Sequence, residues 1–222
     1  MSQPQRGLIG EDAVWQAIDR ERRSLADLLD DLDATEWEAP SLCTGWRVLD
    51  VAAHLALAHT GPVAAAVGAV RARGSFDRMV HDTAVRHARR TSTGELTAQL
   101  RAMVGSRRHA PGITPLEPLI DVLVHGQDIA VPLGRPRAVP VDAAVTAVTR
   151  AWTCRWPISL AFRAPQRLSG LRLTATDVDW SVGDGAEVEG PVAALLLLVT
   201  GRRSAALPLL TGAGTARLAA AG

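Results

Sequence analysis

The chain reads as α+β, a long helical part followed by a small mixed unit. Two observations predict this. Through the first two thirds of the 222 residues, apolar side chains recur every three to four positions, the period of a helix buried on one face. Alternation of apolar and polar residues, the period of a strand, begins only near Leu168. Between the two textures, over 157–167, the composition shifts. The expected division is therefore a helical bundle over 1–160 and an α+β domain over 161–222, which the length accommodates.

The first helix is expected from Glu11 to about Leu32, with a stripe of Val14, Trp15, Ile18, Leu25, Leu28, Leu29 and Leu32 opposite charged residues. Pro40, Ser41 and Gly45 mark a loop over 39–46. A second helix starts near Arg47, carries His54 and runs to about His59, where Gly61-Pro62 interrupts it. Two arginine-rich helical segments follow, Phe76–Arg90 and Glu95–Arg108. Pro111 and Pro115 break the pattern, and a helix holding Asp121 and His125 begins near Leu116 and stops near Pro132. Val141–Trp156 is one more helix, ending before Pro157. Leu168–Thr176, Val178–Val182 and Glu187–Val188 then read as short strands, with hairpin-like turns at Asp177 and at Gly183-Asp184-Gly185. Gly190-Pro191 opens a helix that continues through Val199 and ends at Gly201.

Composition excludes several classes of function. Net charge is +1, which gives no electrostatic case for nucleic acid or for an anionic membrane. All 24 basic residues are arginine, a bias that points to GC-rich coding rather than to a task. Cys43 and Cys154 are too few for a disulfide framework and read as two reduced thiols. The N-terminus lacks a basic start followed by an apolar core, and the longest apolar run, 192–199, is too short to span a bilayer. A cytoplasmic protein without a membrane partner, monomeric or homodimeric, is expected.

The informative residues are Asp121, His125 and His54. A spacing of four turns about 40° around a helix, so Asp121 and His125 share a face, flanked by Leu119, Ile120, Val122, Leu123 and Val124. A carboxylate and an imidazole in such surroundings need partners. A divalent metal closed by His54 would satisfy both; so would an ordinary hydrogen bond between a core histidine and a helical carboxylate. Asp50 precedes His54 by four residues and Asp128 follows His125 by three, so each is a further candidate for a ligand or a supporting acceptor. His81, His87 and His109 lie among arginines and are expected on solvated faces. Cys43 is expected to be inert, because no basic group near it in sequence would lower its pKa. No GxSxG elbow, phosphate-binding glycine loop or HExxH is present.

Three blocks together resemble a known family. DATEWEAPSLCTGWRVLDVAAHLALAH at 33–59, IDVLVHGQDIAVPLGRP at 120–136 and GLRLTATDVDWSVGDGAEVEGPVAALLLLVTGR at 170–202 are similar, in order, to the mycothiol-dependent maleylpyruvate isomerase family of DinB-like metal-binding bundles. The resemblance implies a four-helix bundle followed by a sterol-carrier-like α+β domain. It implies one divalent ion, usually zinc, held by His54, Asp121 and His125. The isomerase pattern has Glu where this chain has Asp121, a shorter arm that would shift the metal or admit a water. A C-terminal arginine used by that isomerase matches Arg202. Three protein ligands leave an open position, as in catalytic zinc sites. The implied activity is that of a metal-dependent isomerase or S-transferase, with mycothiol ionised at the metal as the nucleophile and a small molecule as substrate. A hydrolase using metal-activated water, or a bundle that binds without catalysis, are the alternatives.

Overall fold

The computed structural model of the chain describes residues 8–58, 76–109, 112–154 and 164–220. The expected interruption at Gly61-Pro62, the break at Pro111 and the helix end at Trp156 lie outside the described residues. Contacts divide the chain into two units, Glu11–Arg137 and Met1–Gly10 with Ala138–Gly222.

The first unit contains α1 (Glu11–Asp30), α2 (Ala34–Glu38), α3 (Val48–Ala56), α4 (Phe76–Ala88), α5 (Thr93–Ala102) and α6 (Leu116–Ala130). α1 and α3 each pack against both α5 and α6, which makes a four-helix arrangement, and α4 covers another side of α3. Leu25, Leu29, Trp37, Val51, Leu55, Leu96, Leu100 and Ile129 fill one contiguous core. α2 is an element the periodicity did not suggest. Its signal is local: Asp33 Oδ1 accepts from the Thr35 and Glu36 backbone N–H groups, and Glu36 accepts from the Asp33 N–H, a complete capping box. Ser92 and Glu95 start α5 in the same way.

The apolar stripe of α1 also buries two charges. Glu21 meets Arg137 at 2.6 Å, both nearly excluded from water, and Arg137 reaches it by passing Gly126, where a Cβ would lie 2.7 Å from the Arg137 Nε. Removing one partner of such a pair would strand the other, at a cost of about 3–5 kcal/mol.

The second unit contains α7 (Val141–Thr153), α8 (Ala164–Arg167), β1 (Leu171–Ala175), β2 (Ser181–Gly183), β3 (Ala186–Gly190), α9 (Val192–Val199), α10 (Arg203–Ala206), a short 3₁₀ turn (Leu207–Leu209) and α11 (Thr215–Ala220). α9 is apolar along nearly its whole length, so it needs cover on more than one side, and α7 supplies it with a buried face that includes Ala143, Ala144, Ala147, Val148 and Ala151. The Trp180 indole N–H donates to Thr149 Oγ1 at 2.9 Å, which ties α7 to the sheet segment as well. By contacts α7 therefore groups with the sheet, whereas the expected division near 160 left it with the bundle.

The sheet order is β2-β1-β3, with β1 and β2 antiparallel and β1 and β3 parallel. The turn at 183–185 is thus not a hairpin. The chain leaves β2, wraps the start of β1 and returns on its far edge, where the Ala186 N–H donates to the Gly170 carbonyl at 3.1 Å. That passage requires Gly185, which has φ +131° and where a Cβ would collide with the Gly170 carbonyl.

Candidate metal centre

α6 carries Asp121, His125 and Asp128 at i, i+4 and i+7, so all three share one face. α3 carries His54 in its last turn. The loop between α2 and α3 is closed on itself by the Ser41 N–H to the Trp46 carbonyl and the Val48 N–H to the Ala39 carbonyl, both 2.9 Å. It is pinned to α6 by the Leu42 N–H, which donates to the Asp128 carbonyl at 3.1 Å. Gly45 permits its tight turn with φ +79°.

The three residues expected as a site come together. Asp121 Oδ1 lies 3.2 Å from His54 Nε2 and 3.3 Å from His125 Nε2. Donor atoms bonded at about 2.0–2.1 Å to a tetrahedral zinc ion are separated by about 3.3 Å. The spacing of these donors, and their identity as two imidazoles and a carboxylate, fit a divalent ion. Solvent reaches the cluster, since the side chains of Asp121, His54 and His125 are 33%, 22% and 15% exposed. A small molecule thus has a path to it.

Behind the cluster, His125 Nδ1 is 2.7 Å from Asp128 Oδ2, and Asp128 has no exposure. A buried carboxylate at Nδ1 fixes the ring orientation and leaves Nε2 facing Asp121. Cys43 Sγ donates to the same Asp128 oxygen at 3.1 Å and stands 3.8 Å from His125 Nδ1. Cys43, His125 and Asp128 thus form a second set of metal-capable groups. The 2.7 Å contact is shorter than the edge of about 3.3 Å expected around a zinc ion and matches a charge-assisted hydrogen bond. This second set is best described as a proton-bridged support for His125.

The charges reinforce one another. Burial opposes ionisation of Asp121, but the charge of His54 and the hydrogen bonds from His125 and His54 outweigh it and hold the carboxyl well below its usual range. Burial likewise opposes protonation of His125, and its bonds to Asp121, Asp128 and Cys43 override this and raise it well above its ordinary value. Without a metal, the cluster is a carboxylate held between imidazoles. A metal would take the place of the protons that bind it together.

The structure assigns the other candidates. Asp50 is committed to the start of α3, where it accepts from the Arg47 backbone N–H, Nε and Nη2, each at 3.0 Å. Asp128 stands behind His125 rather than beside His54. His81 is open to solvent, its side chain 44% exposed and its Nδ1 3.1 Å from Asp82 Oδ1, with its ring 5.8 Å from Trp46, which also meets the His54 ring at 5.7 Å. His87 bonds Gln99 at 2.8 Å and His109 stacks on Trp15. Cys43, expected to lack a basic neighbour, has His125; that neighbour is 82 residues away in sequence and so invisible in local spacing. Neither cysteine is in a disulfide.

Arg22 is a site-side residue that the sequence reading missed. It is 3% exposed, donates to the Met103 carbonyl at 2.8 Å and faces Asp19 at 3.8 Å; burial lowers its pKa against the opposing charges of Asp19 and, after it, Asp121. Its signal was its position, i+4 from Ile18 and i−3 from Leu25, inside the apolar stripe of α1. Arg202 belongs to the second unit, where its Nη1 donates to the Thr200 carbonyl at 2.7 Å.

Residues 18–119 match the family model described as the mycothiol maleylpyruvate isomerase N-terminal domain. This segment is thus similar to that domain over 18–119. The fold of the chain is also that of a solved mycothiol-dependent maleylpyruvate isomerase, with TM-score 0.63, 14% identity, and coverage of 93% of this chain and 94% of that one. A histidine-to-alanine variant of that isomerase gives TM-score 0.61 at 14% identity, with the same coverage. Comparison with curated proteins finds no sequence match. Among the described residues, no helix is long and apolar enough to cross a membrane.

Proposed function

We propose that His54, Asp121 and His125 hold one divalent metal ion, most simply zinc, and that the chain uses it with mycothiol as a cosubstrate in isomerase or S-transfer chemistry on a small molecule. The observation that carries this reading is the single carboxylate oxygen of Asp121, 3.2 and 3.3 Å from two imidazole nitrogens whose ring orientations converge on it. The family match of residues 18–119 supports the choice of thiol. A bound divalent ion would supply Lewis acidity, favouring the ionised form of a thiol placed against it.

The chain's own residues do the rest. Asp128 holds a proton on His125 Nδ1 and keeps Nε2 turned to the site. Trp46 packs edge-on against His54 and shields one side of that ring from water. Arg202 is assigned to the anionic part of the substrate, on its match to the family's C-terminal arginine.

Calorimetric titration of mycothiol into metal-loaded and metal-stripped protein tests this. Binding should be at least tenfold tighter with metal. Equal affinity in both states would remove the thiol from the account, and hydrolysis by the metal-loaded protein without any thiol would assign the site to water activation instead.

A further inference from the structure

A groove of about 490 Å³ opens on the unit that ends the chain. Its lining includes Leu168, Leu198 and Leu218, and three arginines, Arg167, Arg203 and Arg217. The leucines are buried, so the floor is apolar. Two of the guanidinium groups are tied down by neutral acceptors: Arg167 donates to the Val199 carbonyl at 2.8 Å and Arg217 to the Gly170 carbonyl at 2.9 Å. Each lies against a glycine, Gly201 or Gly170, where a Cβ would come within 3.1 Å of a guanidinium nitrogen. A carbonyl contact fixes a guanidinium in place without cancelling its charge.

Among the described residues, no carboxylate pairs with any of the three. Two acids of this unit are engaged elsewhere: Asp177 accepts from the Val192 N–H at 2.9 Å, and Glu187 faces Arg172 at 3.7 Å. Arg202 adds a further cation near Arg167. Burial, and after it repulsion from Arg202, destabilises the charged form of Arg167. Like charges collected over an apolar floor cost free energy unless an anion joins them.

We propose that this groove binds a small organic oxyanion with an aliphatic body, its acid group on the guanidinium groups of Arg167, Arg203 and Arg217 and its chain along Leu168, Leu198 and Leu218. Guanidinium forks match carboxylate geometry, and the volume lies within the range of about 300–1,000 Å³ usual for small-molecule sites. The site uses none of the residues of the metal cluster and stands whether or not that cluster holds an ion.

Titration calorimetry of the full chain with octanoate, in the presence of EDTA so that no metal can hold the carboxylate, tests it. Saturable binding at one octanoate per chain is expected, weakening with added salt. Octanol, which keeps the tail and lacks the charge, and acetate, which keeps the charge and lacks the tail, should each bind at least tenfold more weakly. The Arg203→Gln, Arg217→Gln double variant should lose at least tenfold. Arg203→Gln alone, at a side chain with no hydrogen bond or ion pair among the described residues, should leave helical circular dichroism unchanged and lose at least threefold. Absence of saturable octanoate binding, full affinity in the Arg203→Gln variant, or equal affinity for octanol or acetate would overturn the proposal.

Discussion

At the residue scale the cluster rests on Asp128 as much as on the residues that face solvent. Asp128 is wholly buried and accepts from both His125 Nδ1 and Cys43 Sγ. Asp128→Asn keeps the shape and removes the charge, and it should lower zinc affinity by about 10–100-fold, read by competition with a chelator. Cys43→Ala leaves the bond between His125 and Asp128 intact and should cost less than tenfold. A larger loss for Cys43→Ala than for Asp128→Asn would show that the thiol is itself a ligand. Acidity gives a second test. His125 is raised in the folded protein, so its stabilising contribution is complete below its unfolded value of about 6.5 and is lost as pH rises through the folded value. Asp121 is lowered, so its contribution is complete above about 3.9 and is lost as pH falls through the folded value. Metal-stripped protein should therefore lose thermal stability as pH is raised above about 6.5, while zinc, which competes with these protons, should stabilise more as pH rises. Melting curves with and without zinc between pH 6 and 8 should diverge; parallel curves would separate the cluster from metal. The spacing of Asp121 and His125 made this face legible in the sequence. Cys43 and Arg22 were not legible, because one reaches the site through a loop pinned to a distant helix and the other hides a charge in an apolar stripe.

At the element scale, periodicity identified helices well because each helix buries a continuous stripe, as α1 does with Val14, Ile18, Leu25 and Leu29. α2 was missed because five residues are too short for a period, although its capping box was written in Asp33 and Glu36. The strands were found and their pairing was not. Gly183-Asp184-Gly185 has the composition of a hairpin turn, yet it carries the chain around the start of β1 to a parallel pairing, a choice set by contact with Gly170 and not by the turn residues. Gly185→Ala should accordingly destabilise the protein by about 2–3 kcal/mol, from the clash and the unfavourable φ, whereas a free hairpin would tolerate it better. Denaturant unfolding monitored by Trp fluorescence reads this directly, since Trp180 is buried between β1 and β2 in sequence and bonded to Thr149.

At the scale of the whole molecule, the α+β class was legible because the change from helical to alternating texture is a property of long stretches. The place of α7 was not, because its face of Ala143, Ala147, Val148 and Ala151 suits either a bundle or the apolar α9, and only the contacts decide. A fragment of residues 11–137 should keep helical circular dichroism and cooperative unfolding, and extension to residue 160 should add little, since α7 would lack α9. A gain of several kcal/mol on extension to 160 would instead place the folding boundary where the composition changes.

The central claim is that His54, Asp121 and His125 together bind one divalent ion. Native mass spectrometry with elemental analysis of the full chain tests it most directly. One zinc per chain is predicted for the unaltered protein, with loss of the ion in His54→Ala, Asp121→Ala and His125→Ala variants that keep their helical circular dichroism. A protein that purifies without metal and takes up no added zinc, or a His54→Ala variant that retains a full equivalent, would contradict it.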